Sequence, residues 1–504
     1  MTAATMGATP VNESEIPPIS ARTRHAYGFG AVSIGVKNAA FSTYLLLFYN
    51  QVIGVPAAIV STAIALTLLV DAFADPFIGR WSDITRSRLG RRHPFIFGAA
   101  IPTTFFFVLA WFPPSGLTDF QMGVWIFALA SLTRASISCF EIPSSAMNPE
   151  LTSDYATRTK LFSLRYWYGY AGTFGFTAFS LAAFFVATED YPIGQLNPEG
   201  YVKFAMTGGA LIFIAILVCA FGTRNRIPYM RQSEEPEGGS GVSNHVKEML
   251  TAFSHKGFLA IFGFGVFKYT AIGLYSATTL YFSTYVFDLS AKQIALLTFD
   301  SLIAATIAAP LAPYFSRKLG KRNTSMIMAL LGICLGISPL ILTYLGLFFP
   351  VGHPMLVPTL FLIGASYGAM IAISLINTSS MLADVVEDHA VKSGKHSAGV
   401  FFSASSFMQQ CSSGLGIFSA GLILTWSGFP EKVDPSAVTL AMEQSLLIHY
   451  IPVSLGLWII GCLFLLFYPI TEQIHRDNVE RLRALEAEAR EQTVRDSALG
   501  APAR

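Results

Sequence analysis

Apolar runs of about twenty residues recur along almost the whole chain, each long enough to cross a bilayer core of roughly 30 Å as a helix. Short polar turns separate them. The pattern predicts twelve spans, near residues 27–53, 57–82, 94–113, 119–147, 158–187, 203–223, 257–287, 292–316, 323–348, 354–383, 396–427 and 443–470. Basic residues gather after the even-numbered spans: Arg86, Arg88, Arg91 and Arg92, then Arg158 and Lys160, then Arg224, Arg226 and Arg231, then Arg317, Lys318, Lys321 and Arg322, then Lys392 and Lys395. The opposite loops carry little beyond Lys203, Lys292 and Lys432. Positive charge marks the cytoplasmic side, so both termini are expected there, which requires an even number of spans.

The longest polar interruption, residues 224–256, carries EEPEGGSG at its centre and reads as a flexible linker. A weak repeat flanks it. Ser87-Arg-Leu-Gly-Arg-Arg92 follows the second span, and Ser316-Arg-Lys-Leu-Gly-Lys-Arg322 follows the eighth. The expected organisation is therefore a cytoplasmic tail (1–26), a six-helix bundle (27–223), the linker (224–256), a second six-helix bundle (257–470) and a cytoplasmic tail (471–504). Two halves with repeated basic turns fit a rocking transporter whose site lies at the half-to-half interface. The second tail alternates acids and arginines (VERLRALEAEAREQ) and reads as a solvated helix.

Composition narrows the class. With 504 residues, 53% hydrophobic and 13% charged, the chain is an all-α integral membrane protein, not a soluble domain. Its partners are expected to be the lipid bilayer, a small-molecule substrate and a coupling cation, with no nucleic acid. Cys139, Cys219, Cys334, Cys411 and Cys462 fall singly inside predicted spans without a CxxC pair, so they read as packing residues. The first 21 residues hold acids and prolines but no apolar core, and no cleaved signal is expected. There is no Walker loop, no GxGxxG after a strand and no nucleophile–base pair, which disfavours an enzyme; no cofactor is expected beyond a coupling ion.

The candidate chemistry lies in the second span. Asp71 and Asp75 occur in LTLLV-DAFAD-PFIG, with no basic neighbour along the chain until Arg80. Spacing i, i+4 puts both carboxylates on one helix face, about a turn apart. Intramembrane acids cost roughly 2.5–3.5 kcal/mol each on insertion scales, so they normally face a wet cavity or a bound cation. Two adjacent anions need a positive species between them, or one must hold a proton.

The string D71-AFAD-PFIG79-RWSD83-ITRSRLGRRHPF95 resembles the glycoside–pentoside–hexuronide:cation symporters of the major facilitator superfamily. YGFGAVSIGVKNAAF, EIPSSAMNPELTSDYATRTKL and MLADVVEDHAVKSGKHSAGVFFS agree at matching positions, so the resemblance runs through all twelve spans. It implies a major facilitator fold of two six-helix halves and a cation held by Asp71 and Asp75, with Glu141, Ser138 and Asn38 assisting. The same resemblance places substrate at Lys37, Asn38, Glu141 and Arg165, and Gln410 of the eleventh span is a further candidate substrate contact. Two positions depart from it: the lysine of the eleventh span is Gln410 here, and the aromatic that stacks on sugar in melibiose-permease-like members is Ser145. Both departures weaken a galactoside assignment. Hard oxygen ligands suit a small cation, while burial and like charge favour a proton, so the ion is open between Na⁺ and H⁺.

Lys268 lies 10–12 residues into the seventh span, some 16 Å deep at about 1.5 Å per residue, too far to snorkel. It is expected either to pair with an acid such as Asp300 or to restore, near substrate, the cation missing at Gln410. Arg134 and Glu141, seven residues apart, share a face and read equally as a salt link or a substrate contact. Arg165 can hold hydroxyl or carboxylate oxygens with its fork, and Tyr166 and Trp167 beside it read as a ring platform or an interfacial belt. Gly28, Gly30 and Gly35, like Gly169, Gly172 and Gly175, read as points of close helix approach. The basic turns are topology signals; Asp83 with Arg86, Arg88 and Arg92, and Asp384 with Glu387, Asp388, Lys392 and Lys395, read either as a cytoplasmic latch or as solvated loops. The expected function is import of an organic solute, by default a sugar or glycoside, coupled to Na⁺ or H⁺ in a bacterial plasma membrane. A lysophospholipid-like amphiphile is the alternative solute, and a non-transporting receptor the alternative class.

Overall fold

The computed structural model describes residues 17–152, 154–230, 253–393, 398–432, 438–478 and 480–482. Among them, ten helices are long and apolar enough to cross a membrane, and His93–Leu109 is a shorter apolar helix. Tyr155–Tyr170, continued by Ala171–Gly175 and Phe176–Ala183, forms a further long helix. In chain order the first half holds α1 (Ala21–Ile53), α2 (Ala57–Ile84), α3 (His93–Leu109), α4 (Asp119–Ala146), α5 (Tyr155–Ala183) and α6 (Pro198–Thr223). The second holds α7 (Lys256–Val286), α8 (Ala291–Leu319), α9 (Lys321–Tyr344), α10 (Leu356–Ser393), α11 (Ala398–Trp426) and α12 (Leu440–Leu465). The all-helical fold expected from the apolar runs is present, and the weak repeat has a backbone counterpart. Gly90 and Gly320 occupy equivalent basic turns, with φ of +74° and +76°, a region closed to most side chains.

Some bounds differ from expectation. Residues 354–383 are expected to span, but α10 continues to Ser393, with Asp384 and Asp388 hydrogen-bonded on the helix rather than ending it. Lys321, His475, His255, Asn478 and Lys392 supply their partners. Lys395 lies outside the described residues. The linker expected from residue 224 starts instead with a short 3₁₀ helix, Arg224–Tyr229. Arg226 pins it, donating from Nη1 to the Pro17 carbonyl at 2.8 Å and from Nη2 to the Leu151 carbonyl at 2.7 Å.

α1 and α7 are the most enclosed helices, with 78% and 67% of their apolar windows buried, against 22% for α8. α1 is therefore the axis around which the first half packs. It meets α5 with almost no side-chain spacer: a Cβ on Gly35 would lie 2.3 Å from the Gly169 carbonyl oxygen, and one on Gly172 2.7 Å from that of Val32. Both helices widen into π turns nearby, at Ala40–Tyr44 and Ala171–Gly175, a distortion that frequently accompanies functional sites. α11 makes similar seams, across the halves with Gly421 against Ser61 and Ala57 of α2, and within its own half with Gly416 against Thr270 of α7.

Candidate functional site

α2 carries Asp71 and Asp75 on the face turned to α4, and Pro76 follows directly. Proline lacks an N–H, so the i−4 carbonyl at Ala72 loses its helical donor beside the acids. α4 begins in a capping box made by Thr118 and Gln121 and brings Arg134, Ser138 and Glu141 round on one face. Arg134, buried with 6% exposure, donates from Nη1 to Asp71 Oδ2 at 3.0 Å and stands over the Phe41 ring of α1 at 5.6 Å. Ser138 Oγ lies 2.7 Å from Asp75 Oδ1 and 3.4 Å from Asp71 Oδ1. A hydroxyl has one proton, so the shorter contact to Asp75 takes it. The other Asp75 oxygen accepts from Gln410 Nε2 of α11 at 2.9 Å.

The two aspartates thus differ. Asp71 has a fixed counter-charge; among the described residues the donors to Asp75 are neutral, and the charges of Asp71 and Glu141 act on it. The Arg134–Asp71 pair is the feature the linear reading missed. Along α2 the acids have no cation before Arg80, and the spacing on α4 reads Arg134 and Glu141 equally as a salt link or a substrate contact; the partner of Arg134 is instead Asp71 on the neighbouring helix.

Other expected site residues lie around this cluster without joining it. Lys37 is buried and Asn38 exposed on α1, and neither has a polar side-chain contact with the acids among the described residues. Arg165 donates from Nη1 to Ser144 Oγ at 2.9 Å and from Nη2 to the Glu141 carbonyl at 3.1 Å, so its fork holds the end of α4. Lys268 is 2% exposed, and its ammonium lies over Tyr269 at 4.4 Å and Phe264 at 5.0 Å; no Asp300 partner is found among the described residues. Gln410 reaches Asp75, and its Oε1 is buried without a donor among the described residues. Tyr166 and Trp167 are exposed.

The expected gating residues form two clusters, each inside its own half. Arg92 meets Glu150 at 2.7 Å and Asp83 at 3.3 Å, and Arg91 also meets Glu150 at 2.6 Å. Glu150, which the linear reading did not single out, organises this turn. Arg88 is exposed, and so is Arg86. Lys321 holds both oxygens of Asp384 at 2.7 and 2.8 Å. The described contacts that join the halves lie around Asp75 and toward the opposite end. There Tyr281 donates to Asn50 Oδ1 and Tyr285 to Gln51 Oε1, each at 2.9 Å. Gln51 Nε2 donates to the Pro430 carbonyl at 3.0 Å, and Gln195 Nε2 to Thr284 Oγ1 at 3.0 Å. These groups are buried, so the end remote from the termini is sealed by a polar and aromatic plug.

Comparison with known proteins agrees with this architecture. Residues 26–472 match the sequence profile of the MFS/sugar transport proteins. The chain is 27% identical to an isoprimeverose transporter of Lactiplantibacillus pentosus, over 89% of this chain and 88% of that one. It is 23% identical to a sodium-dependent lysophosphatidylcholine symporter of Xenopus tropicalis, over 93% and 90% of the two chains. Among solved structures, a D-xylose–proton symporter superposes with a TM-score of 0.61 at 14% identity, covering 90% of this chain and 98% of that one, a likeness of fold.

Proposed function

The chain belongs to the MFS/sugar transport protein family, a family of membrane transporters rather than enzymes, and from that premise we propose that it is a cation-coupled symporter. It imports an organic solute, a sugar or glycoside, by alternating access, with the termini in the cytoplasm. One observation carries this reading: Asp75 is held by a donor from each half, Ser138 on α4 and Gln410 on α11. A cation arriving at that carboxylate changes a contact that ties the halves together.

Arg134 neutralises Asp71 and stays in place, so Asp75 and Glu141 receive the mobile charge. The coupling ion is Na⁺ or H⁺. For Na⁺, the Asp75 and Glu141 oxygens, the Ser138 hydroxyl and the buried Gln410 Oε1 make a set of oxygen ligands once the amide turns over. For H⁺, Asp75 alone suffices. Filling the site removes the repulsion among the acids, so the loaded carrier crosses between states and the half-loaded one does not. Substrate binds beside it through Lys37, Asn38, Arg165 and Lys268. The test is uptake by proteoliposomes: Asp75→Asn is expected to abolish gradient-driven accumulation while leaving exchange. Full accumulation by that variant rejects the mechanism.

An amphiphile is the second reading of the substrate. Ser145 stands where melibiose-permease-like members stack an aromatic on sugar, and one relative is named for lysophosphatidylcholine. Thermal stabilisation by lysolipid and by none of a panel of glycosides decides for it.

A further inference from the structure

At the termini end, outside the transport site, the turn between α8 and α9 and the segment after α12 enclose a cavity of about 390 Å³. Among the described residues its walls carry Arg317, Lys321, Arg322 and Arg476 against two carboxylates, Asp384 and Glu472. Lys321 is committed to Asp384, and Arg476 to Glu472. Arg317 and Arg322 are different. Each uses Nε, toward the Pro313 carbonyl and Asn323 Oδ1 respectively, and among the described residues neither terminal fork has a protein acceptor. Two exposed forks lining one cavity offer the paired N–H donors through which guanidinium binds a phosphate group.

The cavity also has an apolar side, made by Leu319, Tyr468 and Ile470. One turn earlier on α8, the Lys318 ammonium lies over the exposed Tyr314 ring at 4.7 Å, the cation–aromatic pairing typical of a membrane interface. A free anion gains nothing from an apolar wall; a glycerophospholipid, whose phosphate carries acyl chains, does, and basic pockets between helices on the cytoplasmic side bind such headgroups. We propose that this cavity binds the phosphate of an anionic membrane phospholipid, with Arg317 and Arg322 as its ligands. Because the same cavity is walled by the segment after α12, the lipid fastens that segment to the second half.

The test is thermal unfolding of the full-length protein in detergent supplemented with phosphatidylglycerol, phosphatidylcholine, inorganic phosphate or glycerol 3-phosphate. Phosphatidylglycerol is expected to raise the midpoint by several degrees, phosphatidylcholine and the soluble phosphates by far less. Arg317→Gln/Arg322→Gln should remove the effect, and Lys160→Gln, an exposed basic site on α5, should keep it. Should the double variant misfold, Arg322→Gln alone must weaken phosphatidylglycerol binding severalfold. Equal stabilisation of the native protein and these arginine variants overturns the proposal. So does an equal shift with soluble phosphate, which makes the site one for free anions.

Discussion

Gln410 Nε2 and Asp75 Oδ2, 2.9 Å apart and 335 residues apart in sequence, join the two halves through a carboxylate. A donor to an ionised carboxylate contributes about 1.5–3 kcal/mol. That contribution opposes any cation that must displace it. Gln410→Ala is therefore expected to tighten apparent affinity for H⁺ roughly tenfold or more, and to weaken it for Na⁺, which loses the Oε1 ligand. Ion titration of uptake, or of thermal stability, reads the change; an unaltered half-saturation concentration contradicts it.

Arg134 is the structural member of the same cluster. Removing one partner of a buried pair costs about 3–5 kcal/mol, because the other charge stays buried alone. Arg134→Leu should accordingly lower stability by that order, and Arg134→Leu/Asp71→Leu should recover most of it. The double-mutant cycle separates the pair from general packing. Additive losses in the two single variants mean that the contact is not a coupled pair.

How much of this was legible in the sequence follows from which interactions run along one helix. The shared face of Asp71 and Asp75 follows from i, i+4 spacing, and the twelve spans from their apolar runs. The close approach of α1 and α5 was foreshadowed by glycines at Gly35 and Gly172. The partners of those acids were not legible, since Arg134 and Gln410 arrive from α4 and α11 and no local pattern couples them to α2. Glu150 was hidden for the same reason: its arginines, Arg91 and Arg92, lie 59 and 58 residues away. Hydropathy also marks where the membrane ends rather than where a helix ends, which is why α10 outran its predicted span.

Glu150 yields a separate expectation. Its side chain is 7% exposed, and it accepts from both Arg91 and Arg92. Glu150→Gln keeps the shape but leaves two guanidinium groups with half-exposed Asp83 as their one carboxylate among the described residues. Buried pairs of this kind lose several kcal/mol when one partner is neutralised. Expression and thermal stability should fall, with residual protein keeping its normal ion affinity. A shift in ion affinity at unchanged stability would instead tie this turn to the transport site.

The plug at the far end sets which side the site faces. Tyr285 donates to Gln51 and Tyr281 to Asn50 across the halves, in buried surroundings. Each such hydrogen bond contributes about 1 kcal/mol net, and opening the far end must break both. Tyr285→Phe keeps the ring, which packs on Phe429 at 4.9 Å, and deletes only the hydroxyl. The equilibrium between the two facing states should then move about fivefold toward the far-side-open form. A cysteine introduced at Gln51 is not a clean reporter, because Gln51 is itself part of the plug. Ser42 lies below it, partly exposed, and its carbonyl accepts from Ser276 across the halves. Ser42→Cys should react faster with a membrane-impermeant thiol reagent added from the far side when Tyr285→Phe is present. Identical labelling rates with and without the hydroxyl would mean that the aromatic packing alone holds the seal.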